Sequence, residues 1–344
     1  MGEHIVAVPV ISSHVLHGLP AFVRDEIGEK ALARANRAAG FDAELIEGRN
    51  FFIPHHAVVS FVDAIVKAAG EPNLGLLLAP TMSVATYGSF GRYIFEAETL
   101  DKAIKRSIAA LHYHSTQDRL FVSTCGDEVR YSYGFALAGA PSYAAVAAAA
   151  AGELLSVFKA FLPSNWRPVR VELDIPKPSG TSVFEDVFQC PVIFNAPTVT
   201  VVAERHRLMT ATKRTFSSIV TIADVARDRA GGAPQSILDV TFEQIRAHLL
   251  AGNIMIDEIA RSMATSVRTL QRELNATNTD FRSLTNAVRA QRAIELLEYS
   301  RLSITSISED LGYSSPAGFT RAFRKATGWG PREFRAKRPV PATS

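Results

Sequence analysis

The C-terminal part of the chain contains an internal repeat, which constrains the fold more strongly than any other feature. MIDEIARSMA (255–264) matches SITSISEDLG (303–312) at an offset of 48, and LQREL (270–274) matches FTRAF (319–323) at an offset of 49. The apolar positions in each copy recur at spacings of three, four and seven residues, as in a helix with one buried face. Each copy therefore predicts a short helix, a tight turn and a second helix, which together form a helix-turn-helix unit.

The two predicted units cover residues 255–276 and 303–326, and the pattern between them is that of one connecting helix. Its apolar positions are Leu284, Ala287, Ala290, Ile294 and Leu297. A helix of about 20 residues spans roughly 30 Å. One turn of B-DNA is about 34 Å long, so two units held at this separation match successive major grooves.

Charge is distributed unevenly along the chain. Residues 261–338 contain 14 lysines and arginines and 7 acidic residues, while the whole chain has a net charge of +3. The C-terminal segment is therefore basic and the remainder is slightly acidic. This asymmetry indicates a polyanionic partner for the C-terminal part.

The N-terminal two thirds mixes helical and strand patterns. Helical spacing covers 55–70, 99–114 and 142–162, alternation across a Gly-Asp turn covers 119–135, and short strand patterns cover 167–176, 190–194 and 198–203. This order predicts an α+β domain, which lacks the many evenly spaced strands of a β-barrel. The fold class is thus an α+β N-terminal domain followed by an all-α C-terminal domain with two helix-turn-helix units.

An uncharged stretch from Tyr131 to Gly152 is long enough to span a membrane. Its glycines, serines and alanines make it weakly apolar, and Pro141 is suited to the first position of a helix. We therefore expect a strand, a turn and a buried alanine-rich helix, and no membrane partner.

RDRAGGAPQS (227–236) lacks periodicity and contains Gly-Gly and Pro, which is typical of a linker. The predicted organisation is an N-terminal domain over 1–226, a linker over 227–238, a helical domain over 239–338 and a tail over 339–344.

The segment SISEDLGYSSPAGFTRAFRKATGWGPREFR (306–335) resembles the signature of the AraC/XylS family of bacterial transcription regulators. The matching positions are Ile307, Gly312, Tyr313, Phe319, Arg321, Phe323, Arg324, Gly328, Pro331, Phe334 and Arg335. The sequence departs from the family pattern at Gly330, where Ser or Thr is usual before the last Pro, and at Ala317, where Ser is frequent. The resemblance implies a DNA-binding domain with two helix-turn-helix units.

Upstream, YGSFGRYIFEAETLDKAI (87–104) and VFEDVFQCPVIFNAP (183–197) resemble the sensor domain of one branch of this family. Its members are often labelled arabinose-binding after the founding member. The founding member has a cupin-like barrel, from which our α+β interpretation departs. The resemblance implies a ligand-sensing and dimerisation domain that responds to a small-molecule effector.

The repeat indicates which side chains are candidates for contacting DNA. Arg268, Gln271 and Arg272 share one helical face, and Arg and Gln match guanine and adenine edges respectively. In the second unit Ala317, Thr320 and Arg321 are equivalent. The predicted DNA-binding set is Ser266, Arg268, Thr269, Gln271, Arg272, Ser315, Thr320, Arg321, Arg324 and Lys325.

The alternatives for these side chains differ between the units. Arg268 and Gln271 read bases, or they contact phosphates or solvent. Arg321 lies beside packing phenylalanines, so a phosphate contact or a structural role competes with base reading. Lys325 suits a phosphate neighbour or the surface better than base reading. We expect the first unit to read sequence and the second to anchor the backbone.

The predicted ligand-binding residues of the N-terminal domain are Phe52, Tyr87, Arg92, Tyr93 and His112, with core or surface positions as the alternative. No metal site is expected, because histidines adjacent or two apart in a helix diverge in direction. No nucleophile elbow, P-loop or zinc-protease motif occurs, so neither an enzyme nor a cofactor is expected. A ligand-independent dimerisation or protein-interaction module is the alternative to sensing.

The remaining expectations concern partners and cell compartment. The resemblance implies double-stranded DNA, RNA polymerase, an unidentified small-molecule effector and a second copy of the chain as partners, with activation or repression as the outcome. Cys125 and Cys190 make no CxxC motif, and we expect both to be buried small apolar residues in a reducing cytosol. The first residues lack the pattern of a signal peptide, so we expect a cytoplasmic protein.

Overall fold

The computed structural model describes residues 8–212, 219–229 and 231–337. It divides into two compact units, Met1–Gln235 and Ser236–Ser344. The N-terminal unit contains both helices and strands, and the described part of the C-terminal unit is helical. The predicted fold class is therefore confirmed.

The strands described in the N-terminal unit are Val10–Ser12 (β1), Phe52–Pro54 (β2), Arg119–Cys125 (β3), Glu128–Gly134 (β4), Arg170–Glu172 (β5), Val192–Ile193 (β6) and Val199–Glu204 (β7). β1 pairs with β2 in a two-stranded sheet, and the other five form a sheet of order β3-β4-β7-β5-β6. In this sheet β5 and β6 are parallel and the other neighbours are antiparallel. β3 and β4 form the predicted hairpin, with Gly126 in the left-handed region (φ 56°) at its turn.

The α-helices described in this unit are Leu19–Phe22 (α1), Glu29–Ala39 (α2), Ala43–Ile46 (α3), His55–Ala69 (α4), Leu74–Leu78 (α5), Gly88–Phe95 (α6), Leu100–Ala110 (α7), Tyr143–Phe161 (α8), Ser182–Phe188 (α9) and Ile222–Asp228 (α10). α4, α7 and α8 coincide with the three predicted helical segments. Thr99 caps α7 as predicted, because its side chain accepts a hydrogen bond from the Lys102 N–H (3.3 Å).

Helix α8 forms the centre of the N-terminal core, packed against α4, α5, α7 and the strands β4 and β7. Small residues let α5 and α8 approach closely: a Cβ on Gly152 would lie 2.2 Å from the Ala79 carbonyl oxygen. α8 is long and apolar enough to cross a membrane by length and composition, but most of it is buried within this unit, as in the core helix of a globular domain. The helix begins at Tyr143 with Ser142 as its N-cap, so the expectation that Pro141 is its first residue is wrong.

Two further sequence expectations are corrected in this unit. Cys190 is buried but Cys125 is exposed, because it is the last residue of the edge strand β3. The predicted linker over 227–238 is too long at both ends. Residues 227 and 228 are the end of α10, and Arg229 after them is buried. At the other end, Ser236 caps the next helix, and residues 237 and 238 are in its first turn.

The helices described in the C-terminal unit are Ile237–Leu250 (α11), Ile256–Ser262 (α12), Val267–Ala276 (α13), Phe281–Tyr299 (α14), Ile304–Asp310 (α15), Pro316–Thr327 (α16) and Pro331–Lys337 (α17). α12 with α13 and α15 with α16 form the two predicted units, and α14 is the predicted connecting helix. The predicted tail, 339–344, and residue 338 lie outside the described residues.

The two copies of the repeat fold alike. In α12 and its C-cap, Ile259, Ala260 and Met263 are buried, and in α15 the equivalent Ile307, Ser308 and Leu311 are buried. The tight turn after each helix uses a left-handed residue at the same repeat position, Ala264 (φ 52°) and Gly312 (φ 71°).

The buried stripe of α14 differs in part from the predicted one. Leu284 and Leu297 are buried as expected, and Val288 and Ala293 complete the stripe. Ala287 is exposed, because an alanine at a helical position is compatible with either environment.

Candidate functional site

Helix α13 has an apolar face and a polar face. Leu270 and Leu274 are fully buried, whereas Arg268, Gln271 and Arg272 are exposed. Residues three and four apart are neighbours on a helix, so the three polar side chains form one exposed row. The predicted face is thus present, and its contact with DNA stays a prediction.

Local hydrogen bonds occupy some of the predicted DNA-binding groups of α13. Ser266 Oγ accepts the Thr269 N–H (3.1 Å), and the two hydroxyl oxygens lie 2.9 Å apart. Arg272 donates to the carboxylate of Glu273 (2.8 Å). The side chains of Arg268 and Gln271 have no hydrogen-bond or ion-pair partner among the residues that the structure describes. These two are therefore available to a ligand outside the protein.

Helix α16 differs from α13 in its first turns. Ser315 Oγ accepts the N–H of the residue three positions later (3.2 Å), and Pro316 occupies the first helical position. The Thr320 hydroxyl donates to the Pro316 carbonyl (2.8 Å), so its hydrogen is used within the helix. Ala317 is exposed at the position that an arginine occupies in the first unit. The leading half of α16 therefore offers little to a base edge.

The later turns of α16 carry its positive charge. Arg321, Arg324 and Lys325 are all exposed. Arg324 Nη2 lies 3.6 Å from the carboxylate of Glu333, an ion pair exposed at both ends. A pair of this kind contributes little to stability, so the guanidinium is free to exchange it for a phosphate.

Aromatic packing fixes α16 in position. Phe319 and Phe323 are buried with ring centroids 5.7 Å apart, and Phe323 meets Phe334 of α17 edge-on at 5.5 Å. Tyr313 packs against Phe319 from the turn (5.5 Å). These contacts make the second unit a rigid support for its exposed arginines.

Gly330, where the sequence departs from the family pattern, precedes α17. Its N–H donates to the Glu333 carboxylate (2.7 Å), so one half of a capping box is retained without a side-chain cap. A Cβ here would lie 2.9 Å from Arg324 Nη2. The glycine therefore leaves room for the ion pair described above.

The structure does not bring the predicted ligand-binding residues of the N-terminal unit together. Phe52 is buried in β2, and Tyr87 is buried before α6. Arg92 is exposed and bonds Glu96 (3.1 Å), and Tyr93 packs beneath the guanidinium of a nearby arginine (5.0 Å). His112 is exposed.

Two adjoining cavities lie inside the N-terminal unit and share part of their wall. The aliphatic chamber has a volume of about 90 Å³ and is lined mainly by Ile, Val, Leu and Ala side chains from β1, α1, α4, α5 and α8. The aromatic chamber has a volume of about 60 Å³, and its wall includes Tyr87, Phe90, His114, Tyr131 and Tyr133. Both chambers are lined by Ile11, Tyr133, Ala150 and Glu153. Of the five predicted residues, Tyr87 alone lines them.

Glu153 is the one acidic side chain in the walls of the two chambers, and neither wall includes a lysine or arginine. Its Oε1 accepts a hydrogen bond from the hydroxyl of Tyr87. Burial raises the pKa of Glu153 to about 7, assisted by the charge of Asp118 and opposed by the Tyr87 hydrogen bond. Near neutral pH the group is therefore poised between carboxyl and carboxylate.

The hydroxyls of Tyr131 and Tyr133 at the aromatic chamber are paired, whereas the buried Nδ1 of His114 has no hydrogen-bond partner among the groups that the structure describes. Tyr131 shares a hydrogen bond with Ser107 (2.7 Å), and Tyr133 donates to Asp118 (2.8 Å). His114 stacks on Tyr87 at a centroid distance of 5.0 Å. Burial lowers the pKa of His114 well below its usual range, so its ring is uncharged at neutral pH.

A fully buried arginine lies behind Tyr87. Arg229, at the end of α10, donates to the Tyr87 carbonyl (3.2 Å) and to Ser12 Oγ (2.5 Å), and its Nη1 lies 3.1 Å from His14 Nδ1. Burial lowers the pKa of Arg229 to about 10, so it stays charged at neutral pH. Burial, with Arg229, lowers the pKa of His14 to about 4, which leaves its ring neutral. Tyr87 thus connects Glu153 through its hydroxyl with Arg229 through its carbonyl.

Sequence reasoning missed both of these charged residues. Glu153 had a signal, because it is the one charged residue in an otherwise uncharged run from Tyr131 to Phe158. Arg229 had none, since it lies in a charged, glycine-flanked segment that is typical of an exposed linker.

Two family models match the chain. The arabinose-binding domain of AraC transcription regulators, an N-terminal domain, matches residues 31–212, more than half of the chain. A helix-turn-helix domain matches residues 259–337.

Individual proteins are similar to the chain over different lengths. The ornithine utilization regulator of Pseudomonas aeruginosa is 26% identical over 336 residues, which cover 95% of this chain and 96% of that protein. The transcriptional activator RhaS of Escherichia coli is 33% identical over 89 residues, 26% of this chain and 32% of RhaS. The crystal structure of the regulator CdpR from P. aeruginosa is 24% identical, with a TM-score of 0.38, and the match covers 77% of this chain and 87% of CdpR.

Proposed function

The chain belongs to the AraC family of DNA-binding transcription regulators, and on this premise we propose that a small-molecule effector bound by its N-terminal unit controls its regulatory activity. The two helix-turn-helix units are proposed to read successive major grooves of double-stranded DNA. The observation that carries this proposal is the pair of equivalent helices, α13 and α16, each with a buried apolar face and an exposed polar face. The helix α14 between them, with 19 residues, spans about 28 Å.

The two units are proposed to divide the work of recognition. Arg268 and Gln271 are exposed and unpaired within the described chain, and both side-chain types match base edges in the major groove. At the equivalent place α16 has Ala317 and the internally bonded Thr320. We therefore assign base reading to α13 and phosphate contact to Arg321, Arg324 and Lys325 of α16.

Matched alanine substitutions test this division. Arg268→Ala should reduce the preference for the cognate site over a site changed at one base pair by about 1–3 kcal/mol. Arg321→Ala should weaken binding to both sites equally and lower the salt dependence of the binding constant by about one phosphate contact. Fluorescence anisotropy with the full chain measures both quantities. If Arg268→Ala leaves the preference intact while Ala317 substitutions change it, the assignment is reversed.

Effector control is supported by the two interior chambers and by the match to an arabinose-binding family domain. A thermal-shift screen of the full chain against metabolites, followed by DNA-binding measurements with each hit, tests it. A compound that stabilises the protein and changes its DNA affinity supports effector control. A tight dimer that no compound affects favours a ligand-independent dimerisation or interaction module.

The proposed setting is the cytoplasm, where double-stranded DNA and RNA polymerase are available. We propose a homodimer, as expected from the resemblance of the N-terminal segments to a ligand-sensing and dimerisation domain. Activation is the proposed mode, supported by the similarity of 89 residues of the chain to a protein named as an activator. No enzymatic activity is assigned.

A further inference from the structure

The two chambers together form a space with one apolar end and one aromatic end. Glu153 and Tyr133 line both chambers, so a ligand bound at these residues borders both environments. The aliphatic chamber of about 90 Å³ corresponds to roughly three water molecules at ~30 Å³ each, which suits a short alkyl group.

The charge of this space favours a cation. Glu153 supplies a carboxyl group, and no lysine or arginine side chain lies in either wall. The one histidine there, His114, is stacked between Tyr87 and Phe90 at centroid distances of 5.0 and 4.9 Å and is uncharged at neutral pH. An anionic ligand would meet a buried carboxylate without a counter-charge, whereas an ammonium group would supply the missing one.

The free oxygen of the carboxyl group provides the contact point. Tyr87 occupies Glu153 Oε1, and no hydrogen bond within the described chain uses Oε2. Tyr87, Phe90, Tyr131 and Tyr133 line the same chamber as Glu153, and the rings of Tyr87 and Phe90 each stack on His114 with one face. A carboxylate among aromatic rings is the combination that binds ammonium groups, by an ion pair and by cation–π attraction.

We propose that the two chambers form the effector site and that they bind a small aliphatic primary amine. The ammonium group bonds Glu153 in the aromatic chamber, and the alkyl chain fills the aliphatic chamber. This inference rests on the proposed function, because it names the chemical class of the effector that the N-terminal unit senses.

The proposed site is linked to the last helix of its unit. Tyr87 donates to Glu153 through its hydroxyl and accepts from the buried Arg229 through its carbonyl. Arg229 is the C-cap of α10, and the linker segment follows it. An ammonium group at Oε2 shares the carboxylate with the Tyr87 hydroxyl at Oε1 and weakens that hydrogen bond. Occupancy of the site therefore changes the position of Tyr87 and, through its carbonyl, the contact with Arg229. Tyr87 is in this sense a positioning residue.

Three four-carbon probes test the chemical class: n-butylamine, 1-butanol and sodium butyrate, at matched ionic strength with the full chain at pH 7.5. We expect binding, measured by ligand-observed NMR titration, in the order amine, alcohol, carboxylate. Glu153→Gln keeps the size and the acceptor for Tyr87 and should weaken amine binding at least about tenfold, or 1.4 kcal/mol, while butanol binding stays within about twofold. The matched control is Glu29→Gln on the exposed surface of α2, which should leave all three affinities unchanged.

Several outcomes overturn the assignment. Butyrate binding as tightly as butylamine, Glu153→Gln leaving amine affinity unchanged, or no butylamine binding at all would each show that the chambers are not an amine site. DNA affinity separates this failure from that of the proposed function. If butylamine binds through Glu153 without changing DNA affinity, the amine site is supported and effector control by this site is contradicted. If butylamine still changes the DNA affinity of Glu153→Gln, effector control is supported and the assignment of the site to the chambers is contradicted.

Tyr87→Phe tests the link to Arg229. This variant keeps the ring and the main-chain carbonyl and lacks the hydroxyl, so amine binding should persist within about threefold, under 1 kcal/mol. The effect of butylamine on DNA affinity should be lost. A Tyr87→Phe protein that still responds, or a wild-type protein that never responds, shows that the link does not carry the signal.

Discussion

Ser308 and Ala260 occupy the same position in the two repeats, and both are fully buried. The hydroxyl of Ser308 has no hydrogen-bond partner among the groups that the structure describes. A buried polar group without a partner costs about 1–3 kcal/mol, because it loses its hydrogen bonds to water. The second unit therefore has a local defect that the first unit lacks.

Replacing Ser308 with Ala should raise the free energy of unfolding of the C-terminal unit by about 1 kcal/mol. The measurement is urea unfolding followed by the fluorescence of Trp329, in a Trp166→Phe background. The matched control is Ala260→Ser, which introduces the same hydroxyl into the first unit and should be destabilising. A destabilised Ser308→Ala protein would show that the hydroxyl has a partner.

Glu153 gives the N-terminal unit a dependence of stability on pH. Its pKa is raised from an ordinary 4.5 to about 7 by burial, so the protonated form is favoured in the folded state. The stabilisation is complete below about pH 4.5 and is lost as the pH rises through 7. Among the neighbouring groups, Tyr87 donates a hydrogen bond to Glu153 itself, and Tyr133 donates one to Asp118.

Glu153→Gln should remove this dependence. Relative to the wild-type protein, the variant should gain free energy of unfolding as the pH rises from 4.5 to 7. The gain should reach about 3 kcal/mol at pH 8, since one pKa unit corresponds to about 1.4 kcal/mol. Trp166 fluorescence during urea unfolding, in a Trp329→Phe background, reports this unit. A difference between the two proteins that is the same at pH 5 and pH 8 would contradict it.

At the scale of elements, the two helix-turn-helix units show how one backbone accepts two sequences. Both tight turns place a residue in the left-handed region, which glycine adopts freely and other residues adopt at a cost of about 1–2 kcal/mol. Gly312 meets this requirement in the second unit, whereas Ala264 does not in the first. The first turn is therefore strained although its helices pack in the same way.

Exchanging these turn residues tests the strain. Ala264→Gly should stabilise the C-terminal unit by up to about 1 kcal/mol, the relief of strain being partly offset by the greater freedom of glycine when unfolded. Gly312→Ala should destabilise it by about 1 kcal/mol or more. Thermal or urea unfolding of the two variants gives the comparison. A destabilising Ala264→Gly change would mean that the methyl group makes a contact worth more than the strain.

For the molecule as a whole, positive charge is concentrated in the C-terminal unit, as the proposed binding to DNA requires. The segment 261–338 holds 14 of the chain's 37 lysines and arginines and 7 of its 34 acidic residues. The arginines of α13 and α16 discussed above are exposed to solvent. In the N-terminal unit, Glu153 and Arg229 point into the interior. The C-terminal unit therefore presents a net positive charge to a polyanion, and the N-terminal unit holds two oppositely charged side chains in its interior.

The sequence by itself determined the C-terminal unit almost completely. Helix periodicity, serine caps and the offset of the repeat are local properties, so α12 to α16 and the exposed row on α13 followed from spacing alone. In the N-terminal unit the hairpin and the helices α4, α7 and α8 followed from the same kind of pattern.

Tertiary structure alone decided where the N-terminal charges and cavities lie. Arg229 is buried by contacts with Ser12 and Tyr87, which are more than 140 residues away, and no local pattern encodes such a pairing. Arg92 and His112 were predicted in a pocket from residue type, but their side chains point to solvent. Burial depends on which segments meet in space, and sequence periodicity fixes only which face of each segment is available.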